Sequence, residues 1–362
     1  MVVAAASAAL VALASWMPAS ARFTVAGPVT LSRTLIAKGL AFPAAFTFLP
    51  NGRILYGERA TGNIQIFDPS KGTTKLMFTV PDVESNGEQG LLGLAVDPGW
   101  PKRSFVYAYA TRSIGGGLQN QIVRIAVTKN RGTRFRTIFA SDTTAGDYHD
   151  GGHIAFGPDG ELYAVVGEGH DASNAQDLTN DAGKVLRMTT DGAAPPDNPL
   201  PGSLIFAYGL RNSFGFAFDP QGGRLWETEN GPECNDEINL ELPGENHGWG
   251  PSENCAGTSP GDTNQDGPQP RVMPQAWFTP TIAPTGAVFC QGCGLVGAEG
   301  NLFFGSYKTG YIREVRLTAD RKNVSSLFVA YRNEGSILSM ERSPEGGIYF
   351  STPEAIYELI QA

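Results

Sequence analysis

The 362-residue chain carries 45 glycines and 25 prolines, and 17% of it is charged while 41% is hydrophobic. That excludes a disordered chain, which lacks apolar surface to bury, and fits an all-β domain with many tight turns. The net charge of −9 argues against a nucleic-acid partner, because neutralising phosphates takes basic patches and none is visible.

The chain starts with the apolar run VVAAASAALVALASWMPASA, which ends on Ala19-Ser20-Ala21. An apolar segment closed by an A-x-A pattern predicts a signal peptide over residues 1–21, cleaved near Ala21. It is short for a membrane anchor, and no later stretch is apolar for long enough to span a bilayer. The expected product is a secreted or periplasmic protein with residues 22–362 as one domain.

FTVAGPVTL, Phe23 to Leu31, reads as a strand without a hairpin of its own. One pattern then recurs. FLPNGRILYGE begins at Phe48, and LAVDPGW runs on to SFVYAYA. IAFGPDGELYAVVGE, FAFDPQGGRLWETE, GLVGAEGNLFFGS and MERSPEGGIYFST follow in order. Each is a short strand, a Pro/Gly turn that supplies special φ values, and a second strand alternating with period two. A repeat of roughly 40–60 residues holding several strands marks a β-propeller blade. Six copies predict an all-β, six-bladed β-propeller whose two chain ends complete one blade together; an open array of sandwiches is the alternative. The stretches 170–201 and 233–276 are expected as long loops on one face, around the central channel.

Three of the four histidines, His149, His153 and His170, fall in YHDGGHIAFGPDGELYAVVGEGHD. Gly151 and Gly152 argue against a helix there. On a strand, His149 and His153 would share a face, so both a metal site and a single general base stay open. Arg211-Asn212, at a strand entrance, suits donation to an oxyanion or to a carboxylate ligand. Asn230-Gly231-Pro232 offers a kinked backbone whose carbonyls can point inward, and Asp236 and Glu237 add oxygen donors. That is calcium rather than zinc chemistry, with a plain turn and solvated acids as the alternative. DTNQDG places Asp262, Asn264 and Asp266 at alternate positions before Gly267, like the first half of a calcium loop; position twelve is Met273, so no EF-hand is complete. The four cysteines fit export, and the pairings Cys234–Cys255 and Cys290–Cys293 each close a local loop.

In family order, GEQGLLGLAVDP, HDGGHIAFGPDGELY, GKVLRMTTDG, YGLRNSFGFAFDP, GPECNDEINL with GENHGWG, PTIAPTGAVF and GSYKTG resemble the soluble quinoprotein glucose dehydrogenases. They are similar above all to the shorter bacterial aldose sugar, or sorbosone, dehydrogenases. The resemblance runs from about Leu40 to Leu359 and implies a six-bladed propeller. It also implies an enzyme that oxidises aldose sugars to lactones with pyrroloquinoline quinone and calcium, passing electrons to an external acceptor. The protein is expected as a monomer or homodimer. By motif position, His149 is the general base and Gln89 touches the quinone. Arg211 and Asn212 hold its oxygens, and Thr281 and Lys308 anchor its acidic edge. The Gly231 and Pro232 carbonyls bind the activating calcium, and Glu237 matches a structural-calcium position. Ser336 and Leu338 stand where the family carries arginines for the cofactor carboxylates, with Arg332 and Arg342 nearby but offset. His153 stands where the motif's GGR form has arginine. Two further readings are a propeller that binds a ligand or partner without redox chemistry, and a metal-dependent hydrolase.

Overall fold

Strand pairing follows the repeats. The computed structural model describes residues 29–250, residue 255 and residues 267–362. Within them lie six four-stranded antiparallel sheets. Residues 43–79, 91–140, 154–208, 213–278 and 284–332 form blades 1 to 5 in turn. Blade 6 combines three strands over 339–361 with Leu31–Lys38, which pairs antiparallel with Ala355–Gln361. The propeller therefore closes by joining its two chain ends, as expected. The closing strand is Leu31–Lys38, however, not Phe23–Leu31, of which only residues 29–31 are described. The signal-peptide segment lies outside the described residues.

The middle strands are buried on both faces by neighbouring blades, so Leu162–Val166 and Leu302–Ser306 read as continuous apolar runs. The innermost strands lie edge-on to the channel and touch the innermost strands of the next blades. Two glycines make that approach possible. A Cβ on Gly215 would sit 2.3 Å from the Thr285 carbonyl oxygen, and one on Gly286 would sit 2.3 Å from the Met340 nitrogen. Any side chain there would push adjacent blades apart.

Both expected disulfides form, Cys234–Cys255 and Cys290–Cys293. Among the described residues, no helix is long and apolar enough to cross a membrane. Each innermost strand starts at one mouth of the channel and ends at the other, which gives the channel two chemically distinct ends.

Candidate active site

The starts of the innermost strands line a chamber of about 400 Å³, with Ala44, Leu92, His153, Phe214, Thr285 and Leu338 forming its lower wall. Loops supply the upper wall: Arg59, Glu88, Tyr148, Asn230 and Tyr307. The sequence places a tight turn beside it. His149 has φ +63°, and Gly151 and Gly152 follow at +67° and +121°. A Cβ on Gly152 would meet that of Leu92 at 2.4 Å, so the turn lies flat against blade 2. His149 and His153 consequently do not share a strand face, because the innermost strand of blade 3 begins only at Ile154.

His149 is buried and fixed from two sides. Its backbone N–H donates to Glu88 Oε2 at 2.9 Å, and the Asn212 side-chain amide donates to the same oxygen at 2.9 Å. Its ring Nδ1 pairs with Glu168 Oε1. Glu168 is fully buried. A carboxylate on Nδ1 selects the tautomer that leaves Nε2 free to accept a proton. Behind the turn, burial pushes the Asp150 carboxyl up to about 7, against the Asn120 amide, which donates to Asp150 Oδ1 at 2.9 Å.

The other histidines have separate settings. His153 packs edge-on against Phe216 with ring centroids 4.6 Å apart, and burial holds its imidazole down to about 4. His170 lies against the His149 ring at 4.8 Å. The three rings do not converge on a shared point, which removes the three-histidine metal reading: among the described residues, no three His, Cys, Asp or Glu side chains form a metal cage.

Arg211 Nη1 donates to the Asn230 and Gly231 carbonyls at 3.0 and 3.2 Å, and its guanidinium lies 5.4 Å from the Trp249 ring. The kinked Asn230-Gly231-Pro232 turn is thereby tied to blade 3's exit. Asp236 fixes its other side. Asp236 Oδ1 accepts from the Gly231 N–H at 2.9 Å, and Oδ2 accepts from the Ile282 and Ala283 N–H groups at 2.5 and 2.7 Å. Both oxygens of Asp236 are thus occupied by backbone donors, and its role as a cation donor gives way to positioning. Lys308 Nζ pairs with Thr281 Oγ1 just beyond that loop. Gln89 is buried, and its amide donates to the Gly146 carbonyl at 2.6 Å while Oε1 has no partner.

Glu237 is buried on a strand face shared with other acids. Pairing sets Glu227 opposite Asn239, Glu229 opposite Glu237 and Leu225 opposite Glu241. Burial pushes Glu227 far up and Glu229 up to about 7. His247 Nε2 lies 2.8 Å from Glu241 Oε2. Burial works against the charged imidazole, but the carboxylate prevails and its affinity for a proton is raised. Glu227 Oε1 and Glu229 Oε2 have no hydrogen-bond partner. These orphaned oxygens are the kind of hard donor calcium takes, but the described acids alone do not form a cage, so a cation here would need carbonyl donors such as those of the Gly231 turn as well. Asp262, Asn264 and Asp266 lie outside the described residues.

Four site residues escape a reading of motifs. Glu168 follows a strand and carries no signal of its own. Glu227 and Glu229 do, since acids at alternate positions of a strand buried on both faces demand a counter-ion or protons. Arg59 sits on the chamber wall, donating from Nη1 to the Gly87 and Gln89 carbonyls at 2.7 and 2.9 Å, over the Phe42 ring. It is a cation in the chamber that Leu338 also lines. Arg332 instead stacks on Tyr311 at 4.3 Å, and Arg342 lies at the opposite mouth.

The chain shares this architecture with known proteins. It is 26% identical over 349 residues to aldose sugar dehydrogenase YliI of Escherichia coli (strain K12), spanning 93% of this chain and 94% of that protein. It is 31% identical over 260 residues to quinoprotein glucose dehydrogenase B of Acinetobacter calcoaceticus, spanning 63% of this chain and 54% of that one. The solved structure of the PQQ-bound aldose sugar dehydrogenase from Streptomyces coelicolor superposes with a TM-score of 0.80 at 29% identity, covering 92% of this chain and 99% of that chain. Over residues 40–361 the sequence matches the family described as Glucose / Sorbosone dehydrogenase, and the chain belongs to that family of propeller sugar dehydrogenases.

Proposed function

We propose that the protein oxidises aldose sugars to lactones with pyrroloquinoline quinone and calcium, outside the cytoplasm, after removal of residues 1–21. Residues 22–362 then act as one propeller domain, with an external electron acceptor completing the cycle. The observation that carries this reading is the buried Glu168–His149 pair beside the chamber. An imidazole whose Nδ1 is bonded to a carboxylate presents Nε2 to take a hydroxyl proton.

The quinone would supply the two-electron acceptor when bound, and calcium a Lewis acid. This chain's residues position the reaction. His149 Nε2 takes the proton from the sugar's anomeric hydroxyl, and Glu168 stabilises the imidazolium that results. Arg211, which holds the Asn230 and Gly231 carbonyls, and Asn212, which holds Glu88, would redirect donors to the oxygens where negative charge develops, beside the turn whose Gly231 and Pro232 carbonyls would face the cation. Gln89 carries its unpartnered Oε1 beside the Gly146 loop that leads into His149, and Glu237 belongs to the buried acid cluster of blade 4 that would contribute oxygen donors to a structural cation. Lys308, aligned by Thr281, and Arg59 on the chamber wall supply positive charge for an acidic cofactor. Arg59 thereby offsets the absence of arginine at Ser336 and Leu338.

A second reading, a propeller that binds a ligand without redox chemistry, draws on Leu338, which puts an apolar side chain on the chamber wall. Reconstitution separates the two. Purified protein is loaded with calcium and pyrroloquinoline quinone, then mixed with aldoses and a dye acceptor. Bound-quinone absorbance with sugar-dependent dye reduction is expected. Its absence in fully folded protein would leave the non-redox reading in place.

A further inference from the structure

The opposite mouth of the channel carries a second concavity that the sugar-oxidising site does not use. We propose that it is a binding site for a protonated amine with an apolar or aromatic body, with Glu341 as the counter-ion. Two lobes of about 390 and 250 Å³ meet there, and both are lined by Phe156, Glu341 and Arg342. His153 borders the smaller lobe and also the chamber above, so its ring is the partition between the two ends of the channel.

Glu341 lies on the innermost strand of blade 6, Ser339–Arg342. Among the described residues its part-buried carboxylate has neither a hydrogen-bond donor nor an ion-pair partner. An unpaired carboxyl in such a setting is costly unless something occupies the site with it. The walls specify what fits. Phe48 lines the larger lobe, Phe216 and Phe218 line the smaller, and Phe156 lines both. Aromatic faces attract a cation and also accept its hydrocarbon body. An ammonium group on an apolar body matches the carboxyl and the rings together, whereas a sugar or an anion matches neither.

The other charged groups facing the lobes leave Glu341 available. Arg342 adjoins it but directs Nη1 to the Gln291 carbonyl at 3.4 Å. Asp97, on the blade 2 side, is paired with Arg103 at 2.9 Å. His153 is held neutral by burial. Burial pushes Glu341 itself up to about 8, against the opposing pull of Arg342. An arriving ammonium would therefore displace a proton from Glu341 near neutral pH.

Benzylamine is the probe, titrated calorimetrically into the full chain near neutral pH in buffers of different ionisation heat, with benzyl alcohol as the uncharged control. One-to-one binding of benzylamine with release of a proton is expected, with no comparable binding of benzyl alcohol. Glu341→Gln should weaken benzylamine at least about tenfold and abolish proton release. Unchanged affinity in Glu341→Gln, equal binding of the alcohol, or no binding by the parent chain would each overturn the proposal. Should Glu341→Gln fail to fold, Phe156→Ala gives the second test, since loss of the shared ring must weaken the amine.

Discussion

Glu168 and His149 stand 19 positions apart in the chain, yet the buried carboxylate of one is bonded to ring Nδ1 of the other. Among the described residues no other group bonds the His149 ring, so the tautomer that frees its Nε2 depends on Glu168. Glu168→Gln should lower kcat by roughly a hundredfold or more, the scale on which acid–base and tautomer control act. Quinone binding should persist, measured as the absorbance of the reconstituted cofactor. His149→Ala should lose turnover to a similar extent with the same retention. Loss of cofactor absorbance in both variants would mean that the pair builds the site instead of moving the proton.

The chamber's positive charge can be divided experimentally. Arg59 is held by two carbonyls on the wall and Lys308 is exposed beside Thr281. If both serve an acidic cofactor, Arg59→Gln and Lys308→Gln should each weaken its binding about tenfold or more, since charged hydrogen bonds contribute about 1.5–3 kcal/mol. The effect of Lys308 should fade as salt rises, because solvent-exposed charges are screened, while that of Arg59 should fade less. Titration of the cofactor at two ionic strengths reads both effects. An Arg59 variant that binds as tightly as the parent removes it from the site.

The blades were legible because their signals are local. A Pro/Gly turn between alternating strands repeats within each unit, and counting the repeats gives the closure as well. The site was legible only where it coincides with a family motif. The Asn212 amide meets Glu88 across 124 positions, and that meeting depends on how blades 2 and 4 face one another around the channel. No periodicity reports it. The same holds for Arg59, whose turn looks ordinary until Phe42 and the Gly87 loop come beneath it. His149 and His153 show the reverse error: spacing placed them on one strand face, and the left-handed turn at His149 separates them.

Calcium dependence separates the two candidate donor groups. Removing bound calcium should lower the melting temperature by a few degrees, because a ligand that binds only the folded chain stabilises it by mass action. If the loop Asp262–Asp266 holds the ion, Asp266→Ala removes most of the shift. If the acids of blade 4 hold it, Glu237→Gln removes the shift and Asp266→Ala leaves it intact. A melting temperature indifferent to chelator in the parent protein would deny both a structural ion.

Acid should weaken the fold through His153. Burial holds its imidazole at about 4 against an ordinary value of 6.5, so the unfolded chain takes up a proton before the folded one does. The contribution is complete above the ordinary value and is lost as pH falls toward 4, amounting to at most about 3 kcal/mol. Glu341 works in the opposite sense. Pushed up to about 8, it keeps its proton in the folded chain, so its contribution is full below the ordinary carboxyl range and is lost as pH rises through 8. Urea unfolding at about pH 4.5 and pH 7 resolves the first effect. His153→Gln should destabilise more at the higher pH than at the lower, because only there does the parent hold the full advantage of a neutral buried ring. Parallel losses at both values would show that packing against Phe216, and not the proton, is what His153 contributes.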